Sequence, residues 1–275
     1  MKVIIASIVL LSALYSNNIS AQEDSTVSFR KDSSGYLKRV FTKGNVSMPY
    51  RLLLPRDYDS SKKYPMVLFL HGSGERGNDN EKQLTWGSQL FIQGSNRRRF
   101  PAIVVFPQCP ENSYWSNVHI KKERKTKKEL FEFQSGGEPT KAMDMLIGLQ
   151  TRLMNELSVD TSKIYVMGLS MGGMGTYEIV RRMPGVFASA VPICGGADTT
   201  TAAAIHKTAF WIFHGANDDV VPVKYAEDMV RALQGFYSAG DMQYTVYSGT
   251  GHNSWEKAFA EPELLRWLFT QRLQR

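Results

Sequence analysis

The chain has 275 residues, 43% of them hydrophobic and 21% charged, and its formal net charge is +7. This length suffices for one large domain with a substantial core, and the composition excludes disordered, collagen-like and coiled-coil proteins. Much of the basic excess lies in Arg97–Arg99 and Lys121–Lys128, without the interleaved aromatic residues that stack on bases. We therefore expect solvated loops and no nucleic-acid partner, with attraction to an acidic polysaccharide as the alternative.

The first residues have the pattern of an export signal. Lys2 gives a positive start, the apolar run Val3–Leu14 follows, and Ile19-Ser20-Ala21 places a small residue before Gln22. The run is too short to span a membrane comfortably. We expect residues 1–21 to be a cleaved signal peptide and the mature protein to be secreted or periplasmic, without stable membrane insertion.

A polar lead-in is predicted over residues 22–46, and a single catalytic domain over residues 47–275. Short apolar runs recur along this domain, as in parallel strands buried on both faces. They are Tyr50–Leu54, Met66–Leu70, Ala102–Phe106, Ile164–Met167, Ala190–Ile193, Phe210–Phe213 and Tyr244–Tyr247. Segments with helical spacing lie among them: Ala142–Leu157, Gly172–Met183, Val223–Tyr237 and Pro262–Leu273. Strands alternating with helices predict an α/β fold, a mainly parallel central sheet with helices on both faces.

Two further features of the chain carry expectations. The stretch Ser116–Thr140 is the least regular, which predicts either a solvated surface excursion or a functional loop. Cys109 and Cys194 end strands that are not neighbours in the expected sheet, so we expect two free, mostly buried thiols.

The strongest chemical signal is Gly168-Leu169-Ser170-Met171-Gly172, placed directly between a predicted strand and a predicted helix. A serine on such a sharp turn projects its hydroxyl above the sheet, and the flanking glycines relieve crowding. Because a serine hydroxyl is a poor nucleophile, it needs a histidine base that is oriented by an acid. Ser170 is therefore the candidate nucleophile; a simple strand-to-helix turn is the alternative.

The order serine, acid, histidine along the chain selects the partners. His252 alone among the five histidines falls after the position expected for the acid. The loop after Phe210–Phe213 offers two adjacent acids, Asp218 and Asp219, and both stay open at this point.

An oxyanion also needs donors, usually two backbone N–H groups. Met171 follows the nucleophile, and the glycine-rich turn after Met66–Leu70 offers Ser73, with Gly72 next. His71 is expected to pack structurally and to fix this turn. No paired histidines or cysteine clusters suggest a metal site, and we expect no cofactor.

With these motifs in place, the chain resembles bacterial secreted esterases near the polyhydroxybutyrate-depolymerase and carbohydrate-esterase branches of the α/β hydrolases, a group often labelled predicted peptidases. The resemblance covers roughly residues 47–275. Its motifs are Tyr50–Pro55, His71–Gly77, Pro107–Pro110, Gly168–Gly173, Pro192–Gly196, His214-Gly215 with Asp218 and Val221-Pro222, and Gly251–Trp255. In that family the acid lies four residues after the histidine of the His-Gly pair, which implies Asp218 rather than Asp219.

The resemblance implies an ester substrate, such as acetyl or feruloyl esters of plant cell-wall polysaccharides. Trp115, Trp255 and Gln108 are the candidate substrate-binding residues, with ordinary packing as the alternative for the two tryptophans. Only residues 195–208 separate two predicted strands where many α/β hydrolases insert a cap, so we expect no cap domain and an open active-site face. A structure in which residues 116–140 roof over Ser170 would contradict this openness. A serine peptidase of the same fold is the alternative function, followed by a non-catalytic polysaccharide-binding module.

Overall fold

A central sheet organises the computed structural model, which describes residues 34–123, 129–237 and 242–273. The expected signal peptide, residues 1–21, lies outside these ranges. The strands are β1 (Leu37–Lys43), β2 (Val46–Leu53), β3 (Tyr64–Leu70), β4 (Ile103–Pro107), β5 (Val118–Lys122), β6 (Glu129–Phe133), β7 (Val159–Leu169), β8 (Ser189–Ile193), β9 (Ala209–Gly215) and β10 (Met242–Tyr247). Eight strands form one sheet in the order β1-β2-β4-β3-β7-β8-β9-β10, and β5 pairs with β6 alone. The six neighbouring strands β4, β3, β7, β8, β9 and β10 run parallel to one another. At the other edge, β1 pairs antiparallel with β2, and β2 pairs antiparallel with β4.

Helices cover both faces of this sheet. They are α1 (Ser88–Ile92), α2 (Gly94–Arg99), α3 (Lys141–Glu156), α4 (Met171–Arg182), α5 (Ala202–Ile205), α6 (Lys224–Gln234), α7 (Trp255–Ala260) and α8 (Leu264–Thr270). One core layer contains apolar side chains of α3, α4 and α6, and the other contains those of α1, α7 and α8. No helix in the described ranges is both long and apolar enough to cross a membrane.

Strand β3 shows why the strand sequences are continuously apolar. Met66, Leu68 and Leu70 belong to one core layer, and Val67 and Phe69 belong to the other. Because successive side chains of a strand point to opposite faces, a strand covered on both sides needs an apolar residue at every position. The predicted parallel sheet is thereby confirmed, with strand ends shifted by a few residues.

The structure corrects the prediction for the N-terminal part of the domain. Residues 22–46 were expected to be a polar lead-in. Residues 22–33 lie outside the described residues, but β1 forms the edge of the main sheet and pairs with β2. Leu37 and Phe41 are buried while most of the intervening residues are polar and exposed to some degree. Gly44, with φ of 59°, lies in the two-residue connection to β2, a position where glycine is favoured because it lacks a Cβ atom.

The irregular stretch Ser116–Thr140 also contains structure that was not predicted. Strands β5 and β6 pair antiparallel and form a hairpin outside the main sheet. Most of their residues are exposed or half-buried, so no strong apolar pattern marks them. Lys121 pairs with Glu132 across the hairpin at 2.7 Å, and residues 124–128 of the basic run lie outside the described residues.

Candidate active site

Ser170 occupies a sharp turn between β7 and α4. Its backbone has φ of 53° and ψ of −118°, a conformation that residues with a side chain rarely adopt. The flanking glycines are required by close backbone contacts: a Cβ atom at Gly168 would lie 2.2 Å from the carbonyl oxygen of Gly172. One at Gly172 would lie 2.0 Å from the carbonyl oxygen of Leu70. The motif therefore lets α4 begin directly against the ends of β7 and β3.

Ser170, His252 and Asp218 lie in one hydrogen-bonded series. Nε2 of His252 is 2.9 Å from Oγ of Ser170, and Nδ1 is 2.8 Å from Oδ2 of Asp218. Since an ionised carboxylate only accepts hydrogen bonds, Nδ1 carries the proton and Nε2 is free to accept the serine proton. Asp218 is buried while Asp219 is exposed, so the geometry favours the acid that the family resemblance implied.

The carboxylate of Asp218 is held from both sides. Its Oδ1 atom accepts the backbone N–H groups of Val220 and Val221 at 3.0 and 2.9 Å. Burial raises the pKa of Asp218, but the hydrogen bonds from His214, His252 and Val221 outweigh it and hold the pKa well below its ordinary value. Asp218 is thus ionised throughout the neutral range.

His214 is a second histidine on the same carboxylate, a role that was not predicted from the sequence. It is fully buried, and its Nε2 atom lies 2.8 Å from the carbonyl oxygen of Val221 and 3.3 Å from Oδ2 of Asp218. Both neighbours are acceptors, so Nε2 carries the proton. The spacing of four residues between His214 and Asp218, known from the family motif, was the available signal.

The glycine-rich turn after β3 lies beside the start of α4. Gly72 is buried, Ser73 is exposed at the beginning of a short 3-10 turn, and Met171 is the first residue of α4. The N–H groups of a helix's first turn have no partner within the helix. The two segments that were expected to supply oxyanion donors are neighbours, since a Cβ atom at Gly172 would lie 2.7 Å from the carbonyl oxygen of His71.

His71 braces this turn, in the structural role expected for it. Its Nδ1 atom donates to the carbonyl oxygen of Gly72 at 2.6 Å, and Nε2 accepts the N–H of Cys109 at 2.9 Å. Burial lowers the pKa of His71 to about 4, so the ring is neutral and both hydrogen bonds persist near neutral pH.

Gln108 and Trp115 are not placed to contact a substrate, which corrects the prediction for both. Each is fully buried. Gln108 accepts the N–H of Asn80 at 2.7 Å and donates to Oδ1 of Asp79 at 3.0 Å, while the indole N–H of Trp115 donates to the carbonyl oxygen of His71 at 3.2 Å. These two side chains therefore hold the loops that follow β3 in place.

Trp255, the third candidate, borders the site. It is half-buried, and its ring centroid lies 5.4 Å from that of His252, edge to face. The ring centroid of Trp86, which was not among the candidate residues, lies 5.6 Å from that of Trp255. The side chain of Trp86 also donates a hydrogen bond to the carboxylate of Glu75, whose pKa is raised by burial. Trp255 thus lies against the histidine, and Trp86 lies against Trp255.

Comparison with known proteins also indicates an esterase. The Esterase family, described as "Putative esterase", matches residues 43–241. The chain belongs to this family.

Two curated relatives of this Esterase-family chain carry names that specify a substrate. It is 28% identical over 186 residues to the "Probable feruloyl esterase C" of Aspergillus terreus, covering 66% of this chain and 59% of that protein. It is 23% identical over 167 residues to a bifunctional acetylxylan esterase/xylanase of Neocallimastix patriciarum, covering 61% of this chain and 21% of that protein. The chain therefore matches well under two thirds of the length of these relatives.

Solved structures show the fold of this family member. A thermostable esterase has a TM-score of 0.75 and 34% identity, covering 87% of this chain and 64% of that chain. The feruloyl esterase module of Clostridium thermocellum, solved as a complex with sinapinate, has a TM-score of 0.60 and 16% identity, covering 90% and 92% of the two chains. The chain has the α/β-hydrolase fold.

The active-site face of this Esterase-family chain is open among the described residues. Ser170 keeps partial exposure, and between β8 and β9 the chain forms only a 3-10 turn and α5. The β5–β6 hairpin lies to one side, where Phe131 packs with Met174 and Val221. The described part of the hairpin thus packs beside the site, and Ser170 stays partly exposed.

The site does not suit a metal ion. Among the described residues, ligand atoms of Cys194, Asp218 and His252 lie within 4.8 Å of one another. Asp218 and His252 are already bonded to each other, and burial strongly raises the pKa of the Cys194 thiol. Because Asp218 and His252 already satisfy one another, this group fits a hydrogen-bonded hydrolytic site better than a metal site.

Proposed function

We propose that this chain is a secreted serine carboxylesterase in which Ser170, His252 and Asp218 form the catalytic triad. The observation that carries the proposal is the continuous series from Oγ of Ser170 through the His252 ring to the Asp218 carboxylate, at 2.9 and 2.8 Å. These lengths are within the range over which a general base takes a proton.

In the proposed mechanism, Nε2 of His252 takes the proton of the Ser170 hydroxyl as Oγ attacks the ester carbonyl carbon. The tetrahedral intermediate collapses when His252 returns this proton to the alkoxide of the leaving alcohol, which leaves an acyl group on Ser170. Water, deprotonated by the same nitrogen, then attacks the acyl-enzyme, and the carboxylic acid departs as Oγ regains its proton. Asp218 keeps the ring in the required tautomer and stabilises the imidazolium.

The backbone N–H groups of Met171 and Ser73 are the proposed donors to the oxyanion. Support comes from the adjacency of the two segments and from the position of Met171 at the N-terminal end of α4, where N–H groups are unpaired and the helix dipole favours negative charge. A single catalytic domain over residues 47–275, extended by β1, would carry all of these groups.

The proposed substrates are acetyl or feruloyl esters of plant cell-wall polysaccharides. The names of the curated relatives support this class, and the partly exposed Ser170 suits a bulky substrate. Trp255, with Trp86 beside it, is the proposed wall for an aromatic or short acyl group. Export rests on the signal-like pattern of residues 1–21.

Hydrolysis assays on the purified protein test the proposal. Wild type should turn over p-nitrophenyl acetate and methyl ferulate, and Ser170→Ala should lose on the order of a million-fold in kcat, as other triads do. Ser248→Ala, which changes an exposed serine in the loop that carries His252, should keep the wild-type rate. Equal, negligible rates of wild type and Ser170→Ala would contradict the proposal. Preferential cleavage of a p-nitroanilide peptide would instead indicate a peptidase.

A further inference from the structure

A large polar pocket lies beside the β5–β6 hairpin and apart from the triad. It has a volume of about 1000 Å³, and Ser170, His252 and Asp218 are not among the residues that line it. Its walls come from residues 112–119, from residues 134–141 and from two single residues, Arg76 and Asp198. The mechanism proposed above uses none of these residues.

Arg76 connects this pocket to the catalytic face. Its Nε atom donates to the carbonyl oxygen of Ser73 at 3.0 Å, and its Nη1 atom donates to the carbonyl oxygen of Glu111 at 3.0 Å. The guanidinium group thus forms a wall of the pocket while it holds the turn that carries the proposed oxyanion donor. A ligand in the pocket would therefore lie against the same side chain that holds the Ser73 turn.

The lining has the chemistry of a site for an uncharged polyhydroxylated ligand. Amide and hydroxyl side chains dominate it, and many of them are exposed. Amides and hydroxyls both donate and accept hydrogen bonds, as the hydroxyl groups of a sugar do. The hydroxyl of Ser116 is buried in this wall and has no partner among the described residues.

Two observations argue against an anionic ligand. The first free N–H groups of α3, which begins at the pocket, are already capped: Ala142 donates to Oγ of Ser113 and Met143 donates to Oγ1 of Thr140, both at 3.1 Å. The guanidinium group of Arg76 already donates hydrogen bonds to backbone carbonyl oxygens, and the acid Asp198 lines the same pocket. Lys141, which also lines the pocket, is the exposed base that an acidic ligand would meet, and the carboxylate of Asp198 opposes its charge.

We propose that this pocket is a binding site for an uncharged oligosaccharide, the sugar chain that carries the scissile ester. This inference rests on the proposed function, because it assigns the alcohol side of the same substrate. It accounts for a large polar pocket that a small acyl ester does not need. Binding energy gained here would raise kcat/KM on polymeric esters and leave small synthetic esters without that gain.

Gly136 offers a way to fill the pocket. It lines the pocket, and a Cβ atom added there would meet nothing within 4 Å, so Gly136→Trp introduces a large side chain without a backbone clash. Gly235, at the end of α6, is equally open and does not line the pocket. Gly235→Trp is therefore the matched control, and equal thermal midpoints would show that both variants fold.

Calorimetric titration with unesterified xylohexaose tests the site without requiring catalysis. The Ser170→Ala protein should bind xylohexaose. The double variant with Gly136→Trp should bind it at least tenfold more weakly, and the double variant with Gly235→Trp should bind it as the Ser170→Ala protein does. With Ser170 intact, Gly136→Trp should lower the ratio of kcat/KM on acetylated xylan to that on p-nitrophenyl acetate at least tenfold.

Absence of xylohexaose binding, or equal binding after Gly136→Trp, would overturn the oligosaccharide site. If wild type still hydrolyses small esters in that case, the proposed function stands and only the pocket assignment falls. If xylohexaose binds as expected but no ester is hydrolysed, the proposed function falls instead.

Discussion

Replacing Asp218 with asparagine should reverse the tautomer of His252. Oδ1 of Asp218 accepts two backbone N–H groups, from Val220 and Val221, so the asparagine carbonyl oxygen will occupy this position. Its NH₂ group then takes the place of Oδ2, where it faces Nδ1 of His252 and Nε2 of His214. Because two donors cannot share a hydrogen bond, His252 will move its proton to Nε2, and it can no longer accept the proton of Ser170.

The expected loss follows from the tautomer. The same exchange in a chymotrypsin-like triad lowers kcat about 10⁴-fold, which corresponds to about 5.5 kcal/mol of transition-state stabilisation. Steady-state hydrolysis of p-nitrophenyl acetate by Asp218→Asn measures it, with Asp219→Asn as the control because Asp219 is adjacent and exposed. A loss of less than tenfold in Asp218→Asn, or a larger loss in Asp219→Asn, would refute the reasoning.

Three further outcomes follow from the structure. Burial holds the pKa of His71 at about 4, against 6.5 for a free side chain, so the unfolded chain binds the proton first as the pH falls. The free energy of unfolding, measured in urea, should therefore drop by up to about 3 kcal/mol between pH ~6.5 and ~4. His71→Gln should flatten this pH dependence, and an unchanged pH dependence in the variant would contradict the assignment to His71. Gly172→Ala should lower the free energy of unfolding by at least about 2 kcal/mol, since its Cβ atom would lie 2.0 Å from the carbonyl oxygen that ends β3, whereas Gly74→Ala has open space and should melt like wild type. His214→Phe removes a donor to the carboxylate of Asp218 and should lower kcat about 10- to 100-fold with little change in KM; an unaltered kcat would show that this contact does not support the carboxylate.

The parts of the fold that could be predicted are those with a strong one-dimensional signal. Strands such as β3 are apolar at every position because two helical layers cover them, and Ser170 follows β7 within a glycine motif that close backbone contacts require. Chain order then narrowed the partners to His252 and an adjacent pair of acids. The structure brings the predicted Ser170, His252 and Asp218 into hydrogen-bonding distance.

The parts that could not be predicted depend on packing that the sequence does not display. Trp115 was a candidate platform for a substrate, but whether an indole lies on a surface or under a loop is decided by distant contacts, here with His71. The β5–β6 hairpin is largely exposed and rich in charge, so its strands lack the alternation that a half-buried sheet imposes. The wide polar pocket beside it is formed by segments that are far apart along the chain.

Covalent trapping shows whether Ser170 is the activated nucleophile. The purified protein would be incubated with a fluorophosphonate, which reacts with an activated serine, and the adduct would be located by peptide mass spectrometry. We expect one stoichiometric adduct on Ser170, lost in Ser170→Ala and strongly slowed in Asp218→Asn. An adduct on another serine, or an unmodified Ser170 in protein that hydrolyses esters, would show that Ser170 is not the nucleophile.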